Sequence, residues 1–405
     1  MGAVAKHMRH PSDNLGLTFG ELKLIMSRFA AGTMECLEKF DGTNMHWYIA
    51  EDGEPRFARN FTDIRENGVT IKEMKKRLKS HPAKEQFIRG MDAIYSTHKK
   101  LNWTLRRDGT YWINCEIIDT ENPQCIKYDK DCIVWHKLVT PNEKKNGTID
   151  VIGSQMTAFV EMLANCMRHG EFDGWSVYGP MHLFMGDKHE DEHVRHGFSE
   201  LNSIIEKFGL DLTNTFEDLV IKKTKEQGIK AGLPEDQLDR LCQLVLSKKP
   251  APRIQTMRNL SSSPELITSM ALHKNRVHWK NRCLAPIVNM WQHFSAQILE
   301  GVSSNIVEDP EKATNRLNRL IEWNVSEAQE RVTSHPDIWS DCSTNLMRFE
   351  SLGVEPPIVE GAVFVWKGNT YKMTGAFPSL NRVCGSVRYP LGIRFPEGEE
   401  ECKLD

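Results

Sequence analysis

Strand-like sequence in this chain is split by a long helical stretch, and that split limits the folds available. Met45-His46-Trp47-Tyr48-Ile49, Tyr111 to Ile118 and Cys132-Ile133-Val134-Trp135 are short apolar or alternating runs. Turn signals such as Glu51-Asp52-Gly53 and Asp108-Gly109 lie between them, so these runs read as strands. From about 151 to 345 glycine and proline thin out, and periods near 3.6 take over, as in Met156 to Leu163 and Leu284 to Trp291. After Pro356-Pro357 strand character returns. Ile358 to Trp366, the turn Lys367-Gly368-Asn369-Thr370 and the return Tyr371-Lys372-Met373 predict a hairpin. The expectation is an α+β domain built from two distant stretches, 15–150 and 346–395. A mainly helical insert, 151–345, separates them, with a flexible lead-in over 1–14 and a tail over 396–405.

Local signals add detail. Thr18 with Glu21 three residues on forms a capping-box pattern, so a helix opens near Leu17. Residues 65–101 are lysine-rich and helical in pattern. Pro250-Ala251-Pro252 is expected to divide the helical stretch into two groups. A chain of 405 residues can bury a sizeable core. No run of about 18 apolar residues predicts a membrane span, and the first residues lack the apolar core of a secretory signal. The ten cysteines form no Cys-x-x-Cys pair, which fits free thiols in a reducing cytoplasm. At a net charge of −3 the chain has no overall basic field, so any polyanion would have to be held by local patches.

The sharpest chemical feature is Glu38-Lys39-Phe40-Asp41-Gly42-Thr43-Asn44 ahead of a strand. A lysine that attacks phosphorus must lose its proton, yet free lysine titrates near about 10.4. Burial and nearby cations would lower that value, and Gly42 would allow close backbone approach to a ligand. Alone, Lys-x-Asp-Gly is a weak signal that a surface turn explains equally well.

In order along the chain, further motifs follow. They are Arg56-Phe57-Ala58-Arg59-Asn60, Trp112 to Ile117, Ile133-Val134-Trp135-His136, Val359-Glu360-Gly361-Ala362-Val363-Phe364-Val365 and Tyr371-Lys372-Met373-Thr374-Gly375. Together with the Lys39 element, this series resembles the covalent nucleotidyltransferase superfamily: ATP-dependent DNA ligases, RNA ligases and mRNA capping enzymes. The resemblance covers about 17–140 and 355–385 and is carried mainly by the Lys39 and Glu360 motifs.

The resemblance implies an ATP-grasp-like nucleotidyltransferase domain of antiparallel sheets and helices; no oligonucleotide-binding barrel is expected after the Tyr371-Lys372 motif, where standard DNA ligases and capping enzymes carry one, because only about 30 residues follow it. It implies that Lys39 carries AMP, that Lys372 holds the α-phosphate, and that Glu360 positions Mg2+ or Mn2+. It further implies that Glu116 binds ribose, Trp135 stacks on adenine, Glu38 reads the adenine edge and Arg59 grips phosphate. Asp41 and Gly42 shape the nucleophile turn. Asn44 replaces the arginine usual in DNA ligases and capping enzymes, and so tilts the reading towards an RNA-ligase-like, phage-type enzyme. Where the family often has a second lysine after Lys372, this chain has Met373-Thr374, so Lys367 is a candidate for that charge. The expected reaction is ATP-dependent joining of 5′-phosphate and 3′-hydroxyl ends, in nucleic-acid repair, by a cytoplasmic monomer in a phage or bacterial host.

Strand contacts are expected at Lys75, Lys76, Arg77 and Lys79, at Lys222, Lys223 and Lys225, and along His273 to Arg282. DNA or mixed nicks are the alternative substrate. A different class of reading comes from His189-Glu190-Asp191-Glu192-His193. On a helix this would match a zinc hydrolase motif, with His196 as a third ligand. A non-catalytic nucleic-acid-binding protein is the remaining alternative.

Overall fold

A computed structural model describes residues 8–247 and 273–395, apart from positions 80, 82, 102 and 146. In chain order the elements are α1 (Phe19–Ala30), β1 (Cys36–Lys39), β2 (Thr43–Ile49), β3 (Pro55–Ala58), α2 (Phe61–Arg65), α3 (Ile71–Arg77) and α4 (Lys84–His98). Next come β4 (Trp112–Ile118), β5 (Cys132–Asn142), β6 (Gly147–Asp150), α5 (Ser154–His169), β7 (Glu171–Phe172), β8 (Trp175–Tyr178), α6 (Glu192–Lys207), α7 (Phe216–Lys230) and α8 (Glu235–Leu246). The chain then adds α9 (His273–Leu299), α10 (Pro310–Glu330), α11 (Pro336–Glu350), β9 (Gly361–Trp366), β10 (Asn369–Met373), α12 (Phe377–Gly385) and α13 (Arg388–Leu391). The expected separator at Pro250-Ala251-Pro252 and the tail over 396–405 lie outside the described residues.

The molecule is α+β with largely antiparallel sheets, and no closed barrel forms among the described residues. It divides into two compact units. One holds Glu35–Phe184 and the chain from Leu299 onward; the other holds Arg9–Met34 and Met185–Ile298. These boundaries differ from the expected insert of 151–345. Helices α5, α10 and α11 belong with the strands because their apolar faces are buried there. Phe159 and Met162 of α5 join a core with Trp135 and Val177. Leu317 and Leu320 of α10 and Ile338 of α11 join a second core with Phe40, Val134 and Leu380.

In the strand-bearing unit, a three-stranded antiparallel sheet has the order β1-β9-β10. The other sheet runs β3-β2-β4-β5-β8-β7, with β6 also paired to β5. Its one parallel pairing is β5 with β8. The β9–β10 hairpin turns at Lys367 and Gly368, both at positive φ. The stretch 65–101, expected to be helical and lysine-rich, forms two helices, α3 and α4, with α2 just ahead of it. They close over one face of the larger sheet, where Trp47, Phe57, Met91 and Ile94 are buried.

In the helical unit, the predicted capping box is present. The Thr18 hydroxyl accepts from the Glu21 amide at 3.1 Å, and the Glu21 carboxylate accepts from the Thr18 amide at 2.9 Å. Phe19 meets Phe216 edge-on with centroids 5.3 Å apart, which packs α1 against the start of α7. Pro11 and Ser12 are buried in a short 3-10 turn, so ordered chain begins ahead of residue 15.

Candidate active site

Strand pairing carries the Lys39 and Glu360 motifs together. Lys39 ends β1 directly opposite Gly361 at the start of β9, although 321 residues separate Lys39 from Glu360. The Lys39 ammonium and the Glu360 carboxylate form an ion pair, with side chains only 21% and 17% exposed. The glycine after Glu360 has a steric reason, since a Cβ there would collide with the Met373 carbonyl on β10.

On β10, Lys372 pairs with Val363, two residues along β9 from Gly361. Side chains alternate across a strand, so Lys39 and Lys372 share one face of this sheet. Strand spacings put their Cα atoms about 12 Å apart, close enough for two extended side chains to converge on one group. Lys367 sits in the turn at the far end of β9. Six residues of strand, roughly 20 Å, separate it from Gly361. Lys367, expected as a second charge, is thus at the opposite end of the hairpin from Lys39 and Gly361.

Glu116 arrives from the other sheet. It pairs with Asn44, and the Asn44 amide donates to the Cys115 carbonyl at 3.2 Å and to Glu116 Oε2 at 3.4 Å. Asn114 then donates to Asn44 Oδ1 and meets His46 Nε2, both at 3.1 Å. His136 Nε2 lies 3.5 Å from Glu116 Oε2. Sequence reasoning missed this polar line of Asn114, His46 and His136. Period-two alternation from Asn44 and Glu116 points to His46 and Asn114. His136 reaches the face through a bulge between Asn114 and Cys115, which sequence does not signal.

Electrostatics correct one expectation directly. Burial by itself would lower the Lys39 amine, as anticipated. The carboxylates of Glu360 and Glu116, the hydrogen bond to Glu360 and, least, Asp41 outweigh it, so the amine is held above its ordinary value. It is an ammonium surrounded by acids rather than a neutral amine beside cations. Burial in turn pushes Glu360 up to about 7, against the pull of Lys39.

Gly42 faces Glu116. A Cβ there would lie 2.6 Å from the Ile117 carbonyl and 2.7 Å from Glu116 Cγ, so the close approach itself requires glycine. Asp41 turns inward. Its carboxylate accepts the Cys125 and Ile126 amides at 2.8 and 2.9 Å, and burial raises it to about 6. Its role here is to tie the nucleophile turn to the loop that follows β4, not to contact a cofactor. Glu38 is similarly occupied, being 3% exposed and accepting from the Ser304 hydroxyl and from the Asn305 backbone and side-chain amides. Burial raises it. As arranged here it is bound to protein, which corrects its expected part in reading adenine.

Trp135 is also placed differently. It pairs with Cys115, not Glu116, and so projects from the opposite face of the sheet. There it is 1% exposed and packs edge-on to Trp47 at 5.5 Å. It is a core residue and cannot cover a nucleotide base. On the face that carries Glu116, His46, Tyr48 and Trp112 are buried, and His136 and Tyr178 are aromatic side chains with surface exposed. Tyr178 is placed there by its pairing with Val134. The Arg59 guanidinium lies over the Phe87 ring at 5.0 Å, its backbone amide bonded to Asp63.

Several expected strand contacts are spent within the protein. Lys75 pairs with Asp92 at 3.2 Å, Arg77 with Asp63 at 2.6 Å and Lys225 with Asp239 at 2.7 Å. Lys223 caps the Cys283 carbonyl at 2.9 Å and Lys222 approaches the Gly209 carbonyl at 3.5 Å, while Lys76 and Lys79 are exposed. In the His273 to Arg282 stretch, Arg276 is buried against the Ser247 carbonyl and Trp279 donates to Thr224 at 2.9 Å. Arg276 is thereby spent inside the protein, whereas Trp279 keeps part of its surface in an open cleft beside Lys223 and Arg282.

The zinc-hydrolase geometry is absent. Asp191 caps α6, which starts at Glu192, so His189 precedes the helix and shares no helical face with His193. Among the described residues no group of three or more His, Cys, Asp or Glu side chains is arranged to hold a metal ion. Nor is any described helix long and apolar enough to cross a membrane. In comparisons with family models, with curated proteins and with solved structures, the chain finds no match.

Proposed function

We propose that this chain is an ATP-dependent polynucleotide ligase of the covalent nucleotidyltransferase type, acting on RNA ends, with Lys39 as the nucleophile. The observation that carries the reading is the meeting of Lys39, Glu360 and Glu116, drawn from three motifs far apart in sequence, with Lys372 on the same sheet face as Lys39. A surface turn with a chance Lys-x-Asp-Gly would not place its lysine between the two acids that the resemblance independently selects.

The chemistry follows from the charges. Lys39 Nζ attacks the α-phosphorus of ATP; a P–N bond forms, the bond to the β-phosphate oxygen breaks and pyrophosphate leaves. The AMP then passes to a 5′-phosphate, and a 3′-hydroxyl displaces it. Lys39 must first lose a proton, and Glu360 and Glu116 are what hold that proton on. A ligand that draws those carboxylates away lowers the amine's hold on its proton, which leaves through the hydrogen bond to Glu360 and passes to solvent. Mg2+ asks for only one or two carboxylates beside phosphate oxygens, so Glu360 and Glu116 fit Mg2+ or Mn2+, which would offset polyphosphate charge there. Lys372 meets phosphate oxygens from the same face. Adenine recognition falls to residues other than Trp135, with His136 and Tyr178 as partly exposed aromatic side chains on the Glu116 face. The choice of RNA over DNA or mixed ends rests on the resemblance at Asn44, which here orients Glu116.

The test is incubation with ATP labelled at the α-phosphate, then denaturation. Label should remain on the protein, vanish in Lys39→Ala and be released by pyrophosphate. Joining should follow on a panel of RNA, DNA and hybrid nicks. An unlabelled wild-type protein with ATP and Mg2+ or Mn2+ ends the proposal.

A further inference from the structure

Away from the Lys39 cluster, the strand-bearing unit contains a half-open cavity of about 190 Å3 where the loop after β4 meets α10 and the end of the chain's described part. Three arginines line it: Arg316 from α10, Arg388 from α13 and Arg394. Arg388 donates to the Pro123 and Gln124 carbonyls, and Arg394 to Asn122 Oδ1 at 3.2 Å. Those acceptors are neutral, so they orient the guanidinium groups without cancelling their charge. Arg316 is 7% exposed and points Nη1 at the Cys125 carbonyl, 3.5 Å away. The acid on the rim, Glu121, is ion-paired with Arg89. Trp323 and Phe395 form an apolar lip, edge to face at 5.7 Å, and the Arg316 guanidinium sits 5.8 Å from the Phe395 ring.

We propose that this cavity is a binding site for a terminal phosphate, a phosphomonoester or free phosphate dianion. The Arg388 and Arg394 forks, held by neutral acceptors beside the wall that Arg316 forms, match a group with several charged oxygens. Size narrows the ligand. Whole small molecules occupy pockets of about 300–1,000 Å3, so this one encloses a phosphate and leaves any sugar or base outside, against Trp323 and Phe395. A nucleotide end and inorganic phosphate share that chemistry. The same loop also reaches the Lys39 turn. Gln124 Nε2 donates to the Gly42 carbonyl at 2.6 Å and to the Thr43 hydroxyl at 3.1 Å. A phosphate gripped beside Asn122 to Gln124 therefore bears on the backbone that carries Gly42. The site itself does not depend on the adenylyl-transfer reading.

The test is calorimetric titration of the full chain with inorganic phosphate. One saturable site is expected at millimolar concentration or below. Arg394→Ala, at an exposed side chain with little risk to folding, should weaken it by about ten-fold, and Arg316→Gln by at least as much. Lys39→Ala should leave it unchanged, which separates this site from the Lys39 cluster. Competition then identifies the source. Displacement by a 5′-phosphorylated oligonucleotide but not its 5′-hydroxyl counterpart assigns a strand end, and displacement by neither assigns free phosphate. Absence of saturable binding, or binding that Lys39→Ala abolishes and Arg394→Ala spares, overturns the proposal.

Discussion

The Glu360 carboxylate touches the Lys39 amine across the β1–β9 pairing, and this contact helps to set the resting charge of Lys39. Glu360 raises Lys39 both by its charge and by its hydrogen bond. In Glu360→Gln the burial that opposes it remains, so the Lys39 pKa should fall. Acylation of Lys39 by an amine-directed reagent near neutral pH, followed by peptide mass spectrometry, should then be faster than in wild type. Equal or slower modification would show that Glu360 does not hold the proton there. Adenylyl transfer should nevertheless be lost in the variant, because a lower amine pKa does not replace the carboxylate. That split separates a charge effect on the lysine from a role towards the triphosphate.

Gly42→Ala should damage the site without unfolding the protein. The added methyl meets the Ile117 carbonyl and Glu116 Cγ at 2.6 and 2.7 Å, and the side chain is the softer neighbour, so Glu116 moves. Formation of the labelled Lys39 adduct should drop by about ten-fold or more, the scale set by losing one charge-assisted contact. The thermal midpoint should fall as well, because the Ile117 carbonyl belongs to the backbone of β4 and must shift too. Unchanged labelling would mean that Glu116 is not positioned by this contact.

How much of this was legible in the sequence depends on what each feature rests on. Strands β2, β4, β5, β9 and β10 were legible because period-two patterns and turn residues are local, and the β9–β10 hairpin appeared where Lys367-Gly368 predicted it, whereas the short β7 and β8 lie inside the stretch expected to be helical. The two-part nature of the strand-bearing unit was legible as well, from Ile358 to Met373 returning to strand character. Its borders were not. Helices α5, α10 and α11 carry the same 3.6 periodicity as α6 to α9, and only their packing partners assign them to the strands. Among site residues, motif order indicated Lys39, Glu116 and Glu360, which the sheets bring together. Side-chain direction was the hidden part. Trp135 differs from Val134 by one position and thereby faces the other side, and Glu38 and Asp41 are claimed by Asn305 and Ile126, partners with no local signature.

Trp135→Ala tests that correction. The indole is buried against Trp47 and Phe159, so its removal should cost about 3–5 kcal/mol of stability, as large-to-small core changes do. Denaturant midpoints of unfolding measure this. Under conditions where the variant stays folded, its apparent affinity for ATP should match wild type. A selective loss of ATP affinity with normal stability would return Trp135 to the ligand.

His46 gives a pH prediction with a defined sign. It is completely buried beneath the Asn44–Asn114 line, with Nε2 facing Asn114 and Nδ1 buried without a hydrogen-bond partner. Burial first, then Lys137 and His136, hold it down at about 3, against an ordinary histidine value of 6.5. Its folded pKa is depressed, so the unfolded chain binds the extra proton first as pH falls. The stability it contributes is complete above about 6.5 and is lost as pH drops from there towards about 3. The slope from this one group approaches about 1.4 kcal/mol per pH unit. In His46→Gln that titration is gone, and glutamine retains an acceptor for Asn114. The variant should be less stable than wild type at pH 7, and the gap should narrow steadily between pH 6 and pH 4. Urea midpoints followed by tryptophan fluorescence across that range check it. A gap that stays constant with pH would mean that His46 is not held neutral by the fold.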